Sequence, residues 1–118
     1  MNHDYTKPDS NGADILTEAH NLITGPRQQA YSHPFDDYWK VTQLFHNMTG
    51  IQLSIKQAIT FMICVKLARI ATNDQHGRWH RDSVVDAAGY LGCLSMVHEH
   101  KQEKLRELAD LEDAHDRE

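Results

Sequence analysis

From Ile55 to Ile70 the chain reads IKQAITFMICVKLARI, which is apolar at almost every angle around a helix. Ile55, Ala58, Ile59, Phe61, Met62, Ile63, Val65, Leu67, Ala68 and Ile70 leave no polar face. A helix of that kind must be covered by others. The stretch therefore predicts a central helix over about 55 to 71 and a bundle packed around it. Its apolar run AITFMICV is far too short to span a bilayer and is bracketed by Lys56 and Lys66.

The neighbouring segments supply candidate partners. Ile15, Leu16, Ala19, Leu22 and Ile23 fall on one helical face, predicting a helix from about 13 to 24 that stops at Gly25-Pro26. After RQQAYSH, Pro34 suits a first helical turn, and Asp36 and Asp37 suit its positive end. That second helix carries Phe35, Tyr38, Trp39, Thr42, Phe45 and Met48, and Gly50 is its expected C-terminal cap. Ser54 and Gln57 match a capping box for the apolar helix. A polar loop, TNDQHGRWHR, follows at 72 to 81, and a fourth helix begins near Ser83. Ala88, Gly89 and Gly92 give that helix a smooth stretch for close packing, within the chain or across a subunit interface. Beyond His98 the chain is strongly charged, with Leu105, Leu108 and Leu111 as a thin apolar stripe.

No two-residue alternation or hairpin signal is present. With 118 residues the expectation is one all-α domain. It comprises four main helices over 13–97, a polar disordered segment over 1–12 and a charged helical tail over 98–118, and is expected to be a homo-oligomer. The net charge of −5 argues against duplex nucleic acid, which needs a basic surface. It leaves room for a small nucleotide. The N-terminus MNHDYTKPDSNG lacks an apolar signal region, and Cys64 and Cys93 sit in apolar stretches without CxxC spacing. The expectation is a cytoplasmic protein with two buried thiols and no membrane contact.

One constellation carries chemistry. Lys66 and Arg69 share a face of the third helix, and Asp82 and Asp86 share a face of the fourth. A short connection favours an antiparallel pair, which brings these four residues to one end of the bundle. Two carboxylates one turn apart can hold one Mg²⁺, while Lys66 and Arg69 would neutralise phosphate oxygens. A structural account competes with this. Ser83-Val84-Val85-Asp86 is a capping-box pattern, and Arg69 could pair with Asp82 to tie the two helices together. Trp79, in the polar loop, could pack into the core, stack on a base or anchor a partner. His98-Glu99-His100 and the pair His76 and His80 have no spacing that supports a metal site.

GPRQQAYSHPFDDYWKVTQLF, KLARI and DSVVDAAGYLGCL together resemble a family of small phage- and prophage-encoded proteins. The matching positions are Arg27, Tyr31, Pro34, Lys66, Arg69, Asp82, Asp86, Gly89 and Tyr90, and Ser32 stands where that family often has glycine. More distantly the pattern is similar to phage nucleotide-modification-associated domains and to all-α NTP pyrophosphatases of the MazG type. Their E-E-x-x-E element is missing, and the other acids available are Glu18, Asp36 and Asp37. The resemblance implies an oligomeric nucleotide-binding protein, with Mg²⁺-dependent pyrophosphohydrolysis as its fullest form. Arg27, Tyr31, His33, Lys66, Arg69, Trp79 and Tyr90 would contact the ligand, and Asp82 and Asp86 would hold the metal. The alternatives are a non-catalytic protein that captures a host protein or sequesters a signalling nucleotide, and a structural oligomer whose charges only clamp helices.

Overall fold

The computed structural model describes residues 10–25 and 33–116. Four helices account for nearly all of them: α1 (Ser10–Thr24), α2 (Pro34–Thr49), α3 (Ile55–Gln75) and α4 (Arg81–Asp116). There is no strand among the described residues, so the chain is all-α, as its periodicities require.

Local chemistry sets the boundaries. Pro34 opens α2 with Asp36 and Asp37 in its first turn, and the His33 ring accepts the Phe35 N–H at Nδ1. Gly50 ends it in the left-handed region at φ 76°, donating to the His46 carbonyl. Ser54 and Gln57 form the expected reciprocal capping box on α3. Three boundaries differ from expectation. Residues 10–12 belong to α1 rather than to a disordered segment; residues 1–9 lie outside the described residues. Helix α3 runs on to Gln75, which shortens the loop. Helix α4 starts at Arg81 and continues through the charged tail as one element of 36 residues, roughly 54 Å at 1.5 Å per residue.

The central helix is α4, not α3. Helices α1 and α3 both pack along α4, and α2 touches α3 and α4. One cluster joins Ile15 and Ala19 of α1 to Val85, with Leu22, Val84 and Ala88 around them. A second joins Ile59 of α3 to Cys93 and Val97 of α4, with Ile23, Phe35, Tyr38 and Tyr90 against it. Helix α3 itself fully buries only Ala58 and Ile59. Phe61 and Leu67 remain 65% and 53% exposed, and Cys64 is exposed rather than buried. The expectation that α3 is the covered core of the bundle is therefore corrected: among the described residues α2 and α4 pack on it, and Phe61, Cys64 and Leu67 stay exposed.

The small-residue stretch of α4 is used within the chain. A Cβ placed on Gly92 would come 2.6 Å from Ile23 Cδ1, and one on Gly89 would lie 3.6 Å from Ile23 Cγ2. Ile23 of α1 thus seats over the two glycines, which is why a larger residue at 92 would push the helices apart.

Candidate functional site

The antiparallel pairing of α3 and α4 is set by a tight turn. Arg78 N–H donates to the Asn73 carbonyl at 2.8 Å, and Gly77 takes φ 70°. Helix α4 then begins with His80, whose Nδ1 meets the Ser83 hydroxyl while its carbonyl accepts the Val84 N–H. Ser83 is buried. The capping pair at this terminus is therefore His80 with Ser83. Asp86 lies a turn too far into the helix to cap it, so that reading of the S-x-x-D pattern is corrected.

Asp86 faces α3 instead. Its Oδ2 lies 2.9 Å from Lys66 Nζ. Among the described residues the other ion pairs are Arg81–Glu18, which ties α4 to α1, and Lys104–Glu107 in the tail. The bridge between α3 and α4 is thus Lys66–Asp86 and not Arg69–Asp82. Arg69 and Asp82 are both exposed at the same end of the bundle. Trp79 is 63% exposed in the connector, so the core-packing expectation for it does not hold. His33 lies with Phe35 and His100, at ring-centroid distances to His100 of 4.8 and 4.6 Å respectively. That places it roughly 20 Å along α4 from Asp86, at 1.5 Å per residue. Arg27 and Tyr31 lie outside the described residues.

Below the ion pair is a cavity of about 810 Å³. Asp86, Gly89, Tyr90 and Cys93 line it from α4, at the i, i+3, i+4, i+7 spacing of one helical face. Opposite them stand Asp37, Tyr38, Val41 and Phe45 of α2, while Phe61 and Met62 of α3 and Leu22 and Ile23 of α1 close the sides. The Tyr38 and Tyr90 rings meet edge to face at 6.4 Å and 82°. Burial first, and then a hydrogen bond with Tyr90, push the Tyr38 hydroxyl above the ordinary tyrosine range. Burial likewise pushes the Cys93 thiol up, so it is an inert neutral group in the wall.

The cavity falls within the 300–1,000 Å³ typical of small-molecule sites and has the usual make-up, apolar walls with a few convergent polar groups. Its walls are mainly apolar, with the phenols of Tyr38 and Tyr90 and the carboxylates of Asp37 and Asp86 as polar groups. Lys66 is brought beside the cavity by the ion pair with Asp86. Of the residues expected from the sequence, Lys66, Asp86 and Tyr90 come together here. Tyr38, Phe45 and Phe61 join them unanticipated, and Asp37, one of the other acids the sequence offered, lines the wall with them. The available signal was a phenol on an otherwise apolar helix face, at Tyr38 as at Tyr90. Among the described residues no group of three or more His, Cys, Asp or Glu side chains is placed to hold a metal ion. No helix among them is long and apolar enough to cross a membrane.

These features define a small all-α domain with an apolar cavity beside one interhelical ion pair. The chain belongs to the family described as Domain of unknown function (DUF6378), which matches residues 14–98. It is 35% identical over 85 residues to the Gene 55 protein of Mycobacterium phage D29, covering 72% of this chain and 54% of that protein. It is 32% identical over 84 residues to the Gene 55 protein of Mycobacterium phage L5, covering 70% of this chain and 51% of that protein. The chain thus spans about half the length of these curated relatives. No solved structure matches it. The expected kinship with phage proteins is borne out at the level of the family. The family match ends at His98, whereas α4 continues to Asp116.

Proposed function

We propose that the cavity binds a nucleotide together with Mg²⁺. The observation that carries this reading is the convergence of Tyr38, Tyr90 and Asp86 on an apolar cavity of about 810 Å³, with Lys66 paired to Asp86. The base occupies the apolar volume against the tyrosine pair. Its phosphates point toward the end of the bundle where Lys66 and Arg69 lie.

Charge explains why the metal belongs in the proposal. Asp86 lines the cavity and is paired with Lys66 at the end of the bundle where the phosphates would lie. Phosphates arriving alone would meet the like charge of the Asp86 carboxylate. A divalent cation between carboxylate and phosphate reverses the sign. Mg²⁺ bound with a nucleotide needs only one or two protein carboxylates, because phosphates and waters supply the rest. Asp86, with Asp82 one turn before it, would provide them. In this reading the metal arrives with the ligand. Pyrophosphohydrolysis of the MazG type is the fuller form of this reading. It would require that same metal and a water directed at the phosphoanhydride.

The test is a thermal-shift screen against nucleoside mono-, di- and triphosphates with and without Mg²⁺, since a ligand of the folded state raises the melting temperature. The expected result is a Mg²⁺-dependent shift that Asp82→Asn and Lys66→Met reduce. Pyrophosphate release would add catalysis, and a shift without metal or turnover would indicate a sequestering protein. No shift with any nucleotide overturns the reading. One observation favours a second reading: Trp79 is exposed in the α3–α4 connector, where an indole can anchor a host protein.

A further inference from the structure

We propose that a second copy of this chain covers the outer face of α3. That face runs through Gln57, Thr60, Phe61, Cys64, Leu67, Ala68 and Ala71, all exposed and none charged. Within the helix, Lys66 is turned to Asp86 and Arg69 lies off this stripe. Four helical turns of uncharged surface are unusual on a chain with a net charge of −5.

The charge pattern selects the occupant. In a two-fold contact each residue meets the same patch on its partner. A charged patch repels itself in that arrangement, and this one does not. Elsewhere the acidic surface disfavours a second copy, so the α3 face is where two copies approach at least electrostatic cost. Cys64, Ala68 and Ala71 are small and recur at i, i+4, i+7, which allows close approach, and Phe61 and Leu67 stand beside them to interdigitate.

Area agrees. The face continues across the cavity rim, where Phe61 and Val41 both stand, to Leu44 and Met48 of α2, which are 62% and 85% exposed. Together these side chains expose on the order of 500 Å² of apolar surface, in the upper part of the roughly 300–600 Å² range of the largest patch on a monomer, which is often functional. With Leu67 and the small residues between, the patch approaches the roughly 800 Å² per partner of a specific interface. The proposal does not rest on nucleotide binding and is read without ligand.

The test is the solution mass of the full chain by light scattering over a dilution series. The expected value is twice the single-chain 13.6 kDa. Leu67→Glu should give the single-chain mass with an unchanged helical spectrum, and Ala68→Arg should do the same from a site equally exposed. Leu108→Glu, on the tail stripe, should leave the double mass in place. A single-chain mass for the wild type overturns the proposal. A double mass in both folded α3 variants, or loss of the pair in Leu108→Glu, also overturns it by moving the contact elsewhere. Leu67 does not line the cavity, so a nucleotide-induced shift that survives in Leu67→Glu separates the two readings.

Discussion

Lys66 Nζ stands 2.9 Å from Asp86 Oδ2, with the lysine side chain 13% exposed and the aspartate 37% exposed. The lysine is thus largely desolvated while its partner remains at the cavity rim. Removing the carboxylate strands a cation that water cannot fully reach. Asp86→Asn is expected to lower stability by about 1–2 kcal/mol, less than for a fully buried pair because Asp86 is partly solvated. Lys66→Met combined with Asp86→Leu should recover most of that loss. Urea unfolding midpoints of the three proteins check both statements.

The two glycines of α4 should respond differently to alanine. At Gly89 an added Cβ finds ordinary contact with Ile23 at 3.6 Å, so helix propensity dominates and Gly89→Ala should stabilise by about 0.5–1 kcal/mol. At Gly92 the same methyl arrives 2.6 Å from Ile23 Cδ1. The end of the isoleucine side chain can rotate away, so Gly92→Ala should gain less than Gly89→Ala. Gly92→Leu cannot be relieved that way and should cost about 1–3 kcal/mol. Thermal melts of the three variants give the order.

The start of α4 depends on Ser83, whose buried hydroxyl meets the His80 ring. Ser83→Ala removes one partner of this pair, and about 1 kcal/mol should be lost. Asp82→Ala, at an exposed position in the same turn, should cost less. Chemical denaturation of each variant distinguishes them.

Tyr38 makes the fold sensitive to alkali. Burial and the Tyr90 hydrogen bond raise its folded value above the ordinary 10.0, so the folded state holds the phenolic proton more tightly than the unfolded chain does. That contribution is fully present below pH 10.0 and is lost as pH rises beyond it. Tyr38→Phe should flatten the decline in stability as pH rises above 10.0. The Cys93 thiol is raised in the same direction, so both proteins must retain Cys93 for the slopes to be compared.

Much of the local structure was legible in the residues. Pro34, Gly50 and the Ser54–Gln57 pair act within a few residues of themselves, so their effects follow from spacing alone. The proximity of Lys66 to Asp86 was legible for a similar reason, since a short turn between two helices leaves one geometry for the chain that follows. Which cation met which carboxylate was not. That depends on the rotation of each helix about its axis, which distant packing at Ile59, Cys93 and Val97 sets.

The cavity was the least legible feature. Its wall takes one face from each of α2 and α4 and shorter pieces from α1 and α3. No single segment carries its pattern, and Tyr38 read only as part of an apolar stripe. The sequence by itself determined that the chain is helical and where Pro34, Gly50 and the Ser54–Gln57 pair bound its helices, because hydrophobic period and capping chemistry are local. Only the tertiary structure decided that α4 is the helix the others share, that Ile23 closes over Gly89 and Gly92, and that the outer face of α3 is left bare. Those outcomes depend on how helix faces are turned toward one another, and a linear pattern does not encode that rotation.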